Sequence, residues 1–230
     1  MLQVFIGFDK KEIAAYQVCA YSIIRNSSVP VSIAPLNIQY FPWFSNNDYK
    51  ASTDFAFTRF LVPWLSEYKG WSLFIDGDML VRGDIKELFD HADDKYAVQC
   101  VQHDYTPKMG KKFLNAEQTD YDRKNWSSVM LFNNAKCQNL TPGYVNTTHG
   151  LELHQMEWCK GTEIGSIPST WNVLVGEEGP SSRFTDPQLV HFTRGGPYFK
   201  QFSFTPYADE WNQYHAEANS VLDTRIVEAV

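Results

Sequence analysis

At 230 residues, with 43% hydrophobic and 20% charged side chains, the chain has the length and apolar content for a single well-buried α/β domain, and disorder is excluded. A formal net charge of -7 and a pI near 5.3 exclude a broad electropositive surface of the kind that tracks nucleic acid or anionic lipid. A phosphate-bearing small substrate stays compatible, because a bound metal ion can supply positive charge at one point.

In chain order, Leu2 to Phe8 reads as a short buried strand with Gly7 at its turn into a loop. From Lys10 to about Asn26, Ile13, Tyr16, Ala20, Ile23 and Ile24 recur at helical spacing and predict one face packed on a sheet. Val31 to Leu36 is the next strand, so the order strand, helix, strand points to a βαβ unit and a parallel, doubly wound sheet. Residues 37 to 52 lack a period and read as a long loop bordering the site. Thr53 to Leu61 is expected to be helical, its end disturbed by Pro63. Trp71 to Ile75 is an apolar strand running into Asp76-Gly77-Asp78, and Gly83-Asp84 opens a short helix through Phe89. Lys95 to Val101 and Ser127 to Phe132 read as strands flanking a polar stretch from Asp104 to Asn125. Leu189 to Thr193 is a late strand leading to Arg194-Gly195-Gly196-Pro197, and Trp211, Tyr214, Ala218, Val221 and Leu222 mark a closing amphipathic helix. Cys19, Cys100, Cys137 and Cys159 are too scattered for a zinc or redox motif and are expected as buried thiols. No apolar run is long enough for a membrane span or a signal peptide, so residence in the cytoplasm is expected.

Two carboxylates one residue apart after an apolar strand can face the same region, and the intervening Gly77 allows close backbone approach. Oxygen ligands suit hard cations such as Mg²⁺ and Mn²⁺, and open α/β sheets bind ligands beyond the carboxyl ends of their strands. The same tripeptide is also a good type I′ hairpin signal between Ile75 and Met79. A third reading is a phosphatase of the haloacid dehalogenase type with Asp76 as nucleophile, although Met79 stands where that family usually carries a small polar residue.

The segment FTRFLVPWLSEYKGWSLFIDGDMLVRGDIKELF resembles the core signature of retaining glycosyltransferase family 8, in the order Arg59, Pro63, Phe74-Ile75, Asp76-Gly77-Asp78, Gly83-Asp84. VFIGFDKKEIAAYQVCAYSI, WSSVMLFNN, LELHQMEWCKGTEIGSIPSTWNV and VHFTRGGPYF are similar to that family's opening strand and helix, middle strand, Asp-Gln-Asp helix with Trp-Asn pair, and late His-and-Gly motif. The resemblance implies a GT-A nucleotide-diphospho-sugar transferase fold, one Rossmann-like domain with a mixed, mostly parallel central sheet. It implies Asp76, Asp78 and His191 as ligands of Mn²⁺ or Mg²⁺, with Mn²⁺ preferred because it accepts imidazole and carboxylate alike. It implies Asp9, Arg59, Gly77, Arg194, Gly195 and Gly196 as contacts to the nucleotide or donor, and Gln155 with its neighbour His154 at the catalytic position. His154 and Met156 stand where the family carries aspartates, and Gly196 stands where it carries a lysine. The implied reaction moves a hexose from a nucleotide sugar, UDP-linked by analogy, to a hydroxyl of a saccharide or glycoconjugate acceptor with retention. A nucleotide-sugar binding protein without turnover is the remaining alternative.

Overall fold

The computed structural model describes residues 1–45, 53–104, 122–177 and 186–220. The parts of the expected loops at 46–52 and 105–121, and Val221 and Leu222 of the expected last helix, lie outside the described residues.

A six-stranded sheet runs in the order β2 (Val31–Leu36), β1 (Leu2–Gly7), β3 (Trp71–Ile75), β6 (Val129–Asn133), β5 (Val98–Cys100), β7 (Ile164–Ser166). Strands β2, β1 and β3 pair in parallel, as do β5 and β7, and β6 alone runs the other way. Pro35 is tolerated in β2 because that strand forms the sheet's edge, where a missing N–H donor costs no ladder bond. Side chains alternate across the sheet as the pleat requires. Val4, Ile6, Leu73, Ile75, Val129 and Leu131 bury on one face with Cys19 and Ile23, while Phe5, Phe74, Met130 and Phe132 bury on the other with Phe60, Leu140 and Leu153.

Helix α1 (Ile13–Asn26) covers the first of those faces through Ala15, Val18, Cys19, Ser22 and Ile23. Of the expected stripe, Ile23 is buried and Tyr16 and Ala20 pack against the same core, whereas Ile13 and Ile24 are exposed and Ala15, Val18 and Ser22 turn inward instead. A second correction concerns Thr53 to Leu61. Turns and a 3₁₀ segment at Thr58–Leu61 occupy this stretch, and Pro63 lies in the first turn of α2 (Val62–Leu65), where its missing N–H is harmless. Asp84 caps α3 (Ile85–Phe89) by accepting the Lys86 amide, as the Gly83-Asp84 opening predicts.

A smaller sheet runs β4 (Met79–Val81), β9 (Leu189–His191), β8 (Val173–Leu174). Since β3 lies in the large sheet and β4 in the small one, Asp76-Gly77-Asp78 is a crossing between sheets and the hairpin reading falls. Helices α4 (Pro142–Thr147) and α5 (Gly150–His154) precede β7, and α6 (Ala208–Ala218) packs Trp211 and Tyr214 against Val18, Leu80, Val190 and Phe192. Cys19, Cys100 and Cys137 are buried free thiols, as expected, whereas Cys159 is only half-buried. Among the described residues no helix is long and apolar enough to cross a membrane.

Candidate active site at the carboxyl ends of β1 and β3

The chain leaves β1 toward one edge of the sheet through α1 and β2, and β3 lies on β1's other side. A crevice at such a reversal of strand order collects the loops that follow both strands. Gly77 follows from this crowding: a Cβ on it would stand 2.3 Å from the Gly7 carbonyl oxygen. The antiparallel β6 begins at the same edge, and the Asp76 amide donates to the Ser128 carbonyl at 3.0 Å.

Asp76, Asp78 and His191 converge here, each offering one ligand atom within 4.8 Å of the others. His191 Nε2 is 3.4 Å from Asp78 Oδ1 and 3.9 Å from Asp76 Oδ2, although His191 lies 113 residues along the chain from Asp78. Register explains the meeting: β4 pairs with β9 so that Met79 faces His191, and the Phe192 amide donates to the Asp78 carbonyl at 3.1 Å.

Each of two ligand candidates is held from behind. Arg59 Nη1 stands 2.9 Å from Asp76 Oδ1, and the same guanidinium donates to the Ala56 and Ser127 carbonyls at 2.9 and 2.8 Å. On the other side His191 Nδ1 lies 3.1 Å from the Asn172 carboxamide oxygen. Asn172 Nδ2 donates to Ser128 Oγ at 2.8 Å and to the Asn125 carbonyl at 3.4 Å, and Ser128 Oγ donates to that carbonyl at 2.6 Å.

The electrostatics are strongly negative. Glu12, at the N-terminus of α1, is buried and is pushed up to about 8 by desolvation and by Asp78, with Asp9 and Asp76 adding to the rise and the Tyr198 hydroxyl opposing it. Tyr198 donates to Glu12 Oε1 at 3.0 Å. Burial and the neighbouring His191 push His103 down to about 3, so a neutral ring borders the cluster. Two carboxylates and an imidazole, backed by an amide acceptor and set among further acids, form a donor set that suits a divalent cation taking mixed O/N ligation.

The other expected residues divide. Asp9 is buried at the same edge, but its oxygens accept the Lys11 and Asp54 amides at 2.9 and 3.2 Å, tying the turn after β1 to residues 53–57. Arg194, Gly195 and Gly196 lie just beyond β9, after Phe192 and Thr193; Gly195 adopts φ 126°, open to glycine, and its amide donates to the Phe192 carbonyl at 2.7 Å. The Gly196 carbonyl accepts the Phe199 amide at 3.0 Å. His154 stands behind the cluster: its Nδ1 is 2.7 Å from Ser127 Oγ, its ring meets Phe57 and Phe60, and burial with Arg59 and Lys124 keeps it neutral. Gln155 ends α5, and its carbonyl accepts from Arg123 Nη1. Met156 is fully buried in the core.

Sequence reasoning missed Glu12, Tyr198, Ser128 and Asn172. All four lie inside segments that carry the resemblance, but none had a role attached there.

No family model matches the chain. Protein CDI of Arabidopsis thaliana is 46% identical over 229 residues, covering 94% of this chain and 87% of that protein. Among solved structures, the apo form of the bifunctional glycosyltransferase WbbM superposes with a TM-score of 0.66 at 16% identity, covering 99% of this chain and 51% of WbbM, so the chain spans about half of that protein. The galactosyltransferase LgtC, in complex with donor and acceptor sugar analogues, gives 0.61 at 12% identity over 99% of this chain and 100% of LgtC. GlyE of Streptococcus pneumoniae TIGR4, also a glycosyltransferase, gives 0.60 at 16% identity over 98% of this chain and 62% of GlyE. The mixed, mostly parallel sheet and these likenesses establish a GT-A fold.

Proposed function

Since the chain belongs to the family of the Arabidopsis Protein CDI and has a GT-A fold, we propose that it is a metal-dependent glycosyltransferase of the retaining family 8 type. It moves a hexose from a nucleotide-diphosphate sugar, UDP by preference, to a hydroxyl of a saccharide or glycoconjugate. The observation that carries this reading is the convergence of Asp76, Asp78 and His191 at the carboxyl edge of the sheet.

Those three residues would hold Mn²⁺ or Mg²⁺, which supplies Lewis acidity to a departing diphosphate when bound. The chain's own contribution is to fix the ligands in advance. Arg59 pairs with Asp76 and orients it, and Asn172 does the orienting for His191. Gly77 lets the turns after β1 and β3 close on each other beside the ligands, and the turn at Arg194-Gly195-Gly196 is assigned to the phosphate oxygens. Gln155 is assigned to the side of the transferred sugar. The role of His154 runs through Ser127, whose hydroxyl it meets and whose carbonyl Arg59 bonds.

Met156 lies in the core and His154 is an imidazole, so neither residue flanking Gln155 offers a carboxylate nucleophile. That supports attack by the acceptor on the face the diphosphate leaves, a phosphate oxygen taking the proton. Trapping of a covalent glycosyl-enzyme would refute this route.

The test is NMR of the protein with Mn²⁺ and a panel of UDP- and GDP-sugars, following donor consumption and anomeric signals. Metal-dependent consumption of one donor, abolished in Asp78→Ala, is expected. Release of inorganic phosphate from small phosphoesters, lost in Asp76→Asn, would replace this reading with the phosphatase. Donor binding without turnover across an acceptor panel would replace it with a non-catalytic nucleotide-sugar binder.

A further inference from the structure

The amide of Asn172 can be oriented without ambiguity. A carbonyl only accepts, so the Asn172 group 3.4 Å from the Asn125 carbonyl is its NH₂, and its oxygen faces His191. Ser128 agrees with this, because its hydroxyl spends its proton on the Asn125 carbonyl and so accepts from Asn172. The Asn172 oxygen in turn accepts only, which requires the proton of His191 to sit on Nδ1. In the neutral ring the lone pair is then on Nε2, which faces Asp78 and Asp76. Asn172 and Asn125 lie 47 residues apart in the chain, and Asn172 is fully buried, so the relay is a built part of the fold.

We propose that the Asn125–Ser128–Asn172 relay is a positioning device that locks His191 in the Nδ1–H tautomer and so prepares Nε2 to ligate a divalent cation. The ligation half rests on the metal-dependent reading given above; the tautomer half does not. Asn172 is a positioning residue, acting through His191. Residues that fix a ligand's ring in this way typically change metal affinity by roughly 10- to 100-fold when removed.

Two measurements separate the halves. Long-range ¹⁵N–¹H correlation spectra of the metal-free protein, followed up in pH until the His191 ring ¹⁵N shifts stop changing, report which ring nitrogen carries the proton of the neutral ring. Wild type is expected to show Nδ1–H, and Nε2–H in wild type would overturn the proposal without recourse to any variant. In Asn172→Leu the Nε2–H form is expected to appear, with Mn²⁺ affinity by calorimetry falling by that same order, roughly 10- to 100-fold. Asn172→Asp, which keeps the acceptor, is expected to restore Nδ1–H. A folded Asn172→Leu with unchanged tautomer and unchanged Mn²⁺ affinity overturns the proposal. If Asn172→Leu does not fold, Ser128→Ala decides: a rise in the Nε2–H population supports the relay and its absence counts against it. A wild type with Nδ1–H that binds no Mn²⁺ would leave the tautomer lock standing and sink the metal reading.

Discussion

Arg59 and Asp76 form an ion pair of 2.9 Å in which both side chains are almost wholly withdrawn from water, 7% and 14% exposed. Arg59 is also seated on the Phe74 ring, 4.8 Å from its centroid. Removing one partner of a buried pair strands the other charge, so Arg59→Ala is expected to cost about 3–5 kcal/mol in urea unfolding. Arg59→Lys should recover only part of this, because one ammonium cannot serve Asp76 and the Ala56 and Ser127 carbonyls in the same planar geometry. Full recovery by lysine would show that charge alone matters at this position.

Gly77→Ala inserts a methyl group against backbone that cannot rotate away. The expected loss is about 1–3 kcal/mol or more. Because Asp76 and Asp78 flank the site of insertion, Mn²⁺ affinity should fall with stability, and calorimetry on the folded fraction checks it. An unchanged melting temperature would mean that the β1 and β3 turns separate more readily than their packing indicates.

Glu12 gives a pH dependence whose sign can be worked out. Its carboxyl, ordinarily near 4.5, is raised to about 8 in the folded protein by burial, Asp78, Asp9 and Asp76. Between those values the folded chain holds a proton that the unfolded chain releases, so this group's contribution to stability is full below the lower value and is lost as pH rises through the upper one. Glu12→Gln should flatten the fall in urea midpoint across that window. Tyr198→Phe removes the hydrogen bond that favours the ionised form and should steepen it.

Mn²⁺ should raise thermal stability in proportion to the logarithm of its concentration, by about 2.7 kcal/mol at a hundredfold excess over Kd. Asp78→Ala and His191→Ala should each abolish most of that gain while leaving the metal-free melt cooperative. Retention of the full gain in both variants would place the cation elsewhere.

Much of the frame could be read from local pattern. β2 and β3 fall on the residues expected, and β1 ends one residue early, because apolar runs bounded by turn residues mark strands without reference to the rest of the chain. Asp76 and Asp78 were legible for the same reason, as neighbours at a strand's end. The inward face of α1 was legible only in part: Tyr16, Ala20 and Ile23 face the core as their spacing indicates, whereas Ile13 and Ile24 are exposed and Ala15 and Ser22 are buried in their place. β4, β7 and β8 were too short to carry a period. The supports of the site were hidden by distance: Tyr198 reaches Glu12 across 186 residues, and no spacing rule spans that.

The crossing from β3 to β4 gives the two aspartates different allegiances. Asp76 closes a strand of the six-stranded sheet, while Asp78 opens one of the three-stranded sheet, to which His191 also belongs. A cation gripped by all three therefore rivets one sheet to the other across a seam that a single glycine spans. Occupancy would be felt along the small sheet, as slower hydrogen exchange at the amides of β4 and β9, and the same rivet would let go when the cation departs.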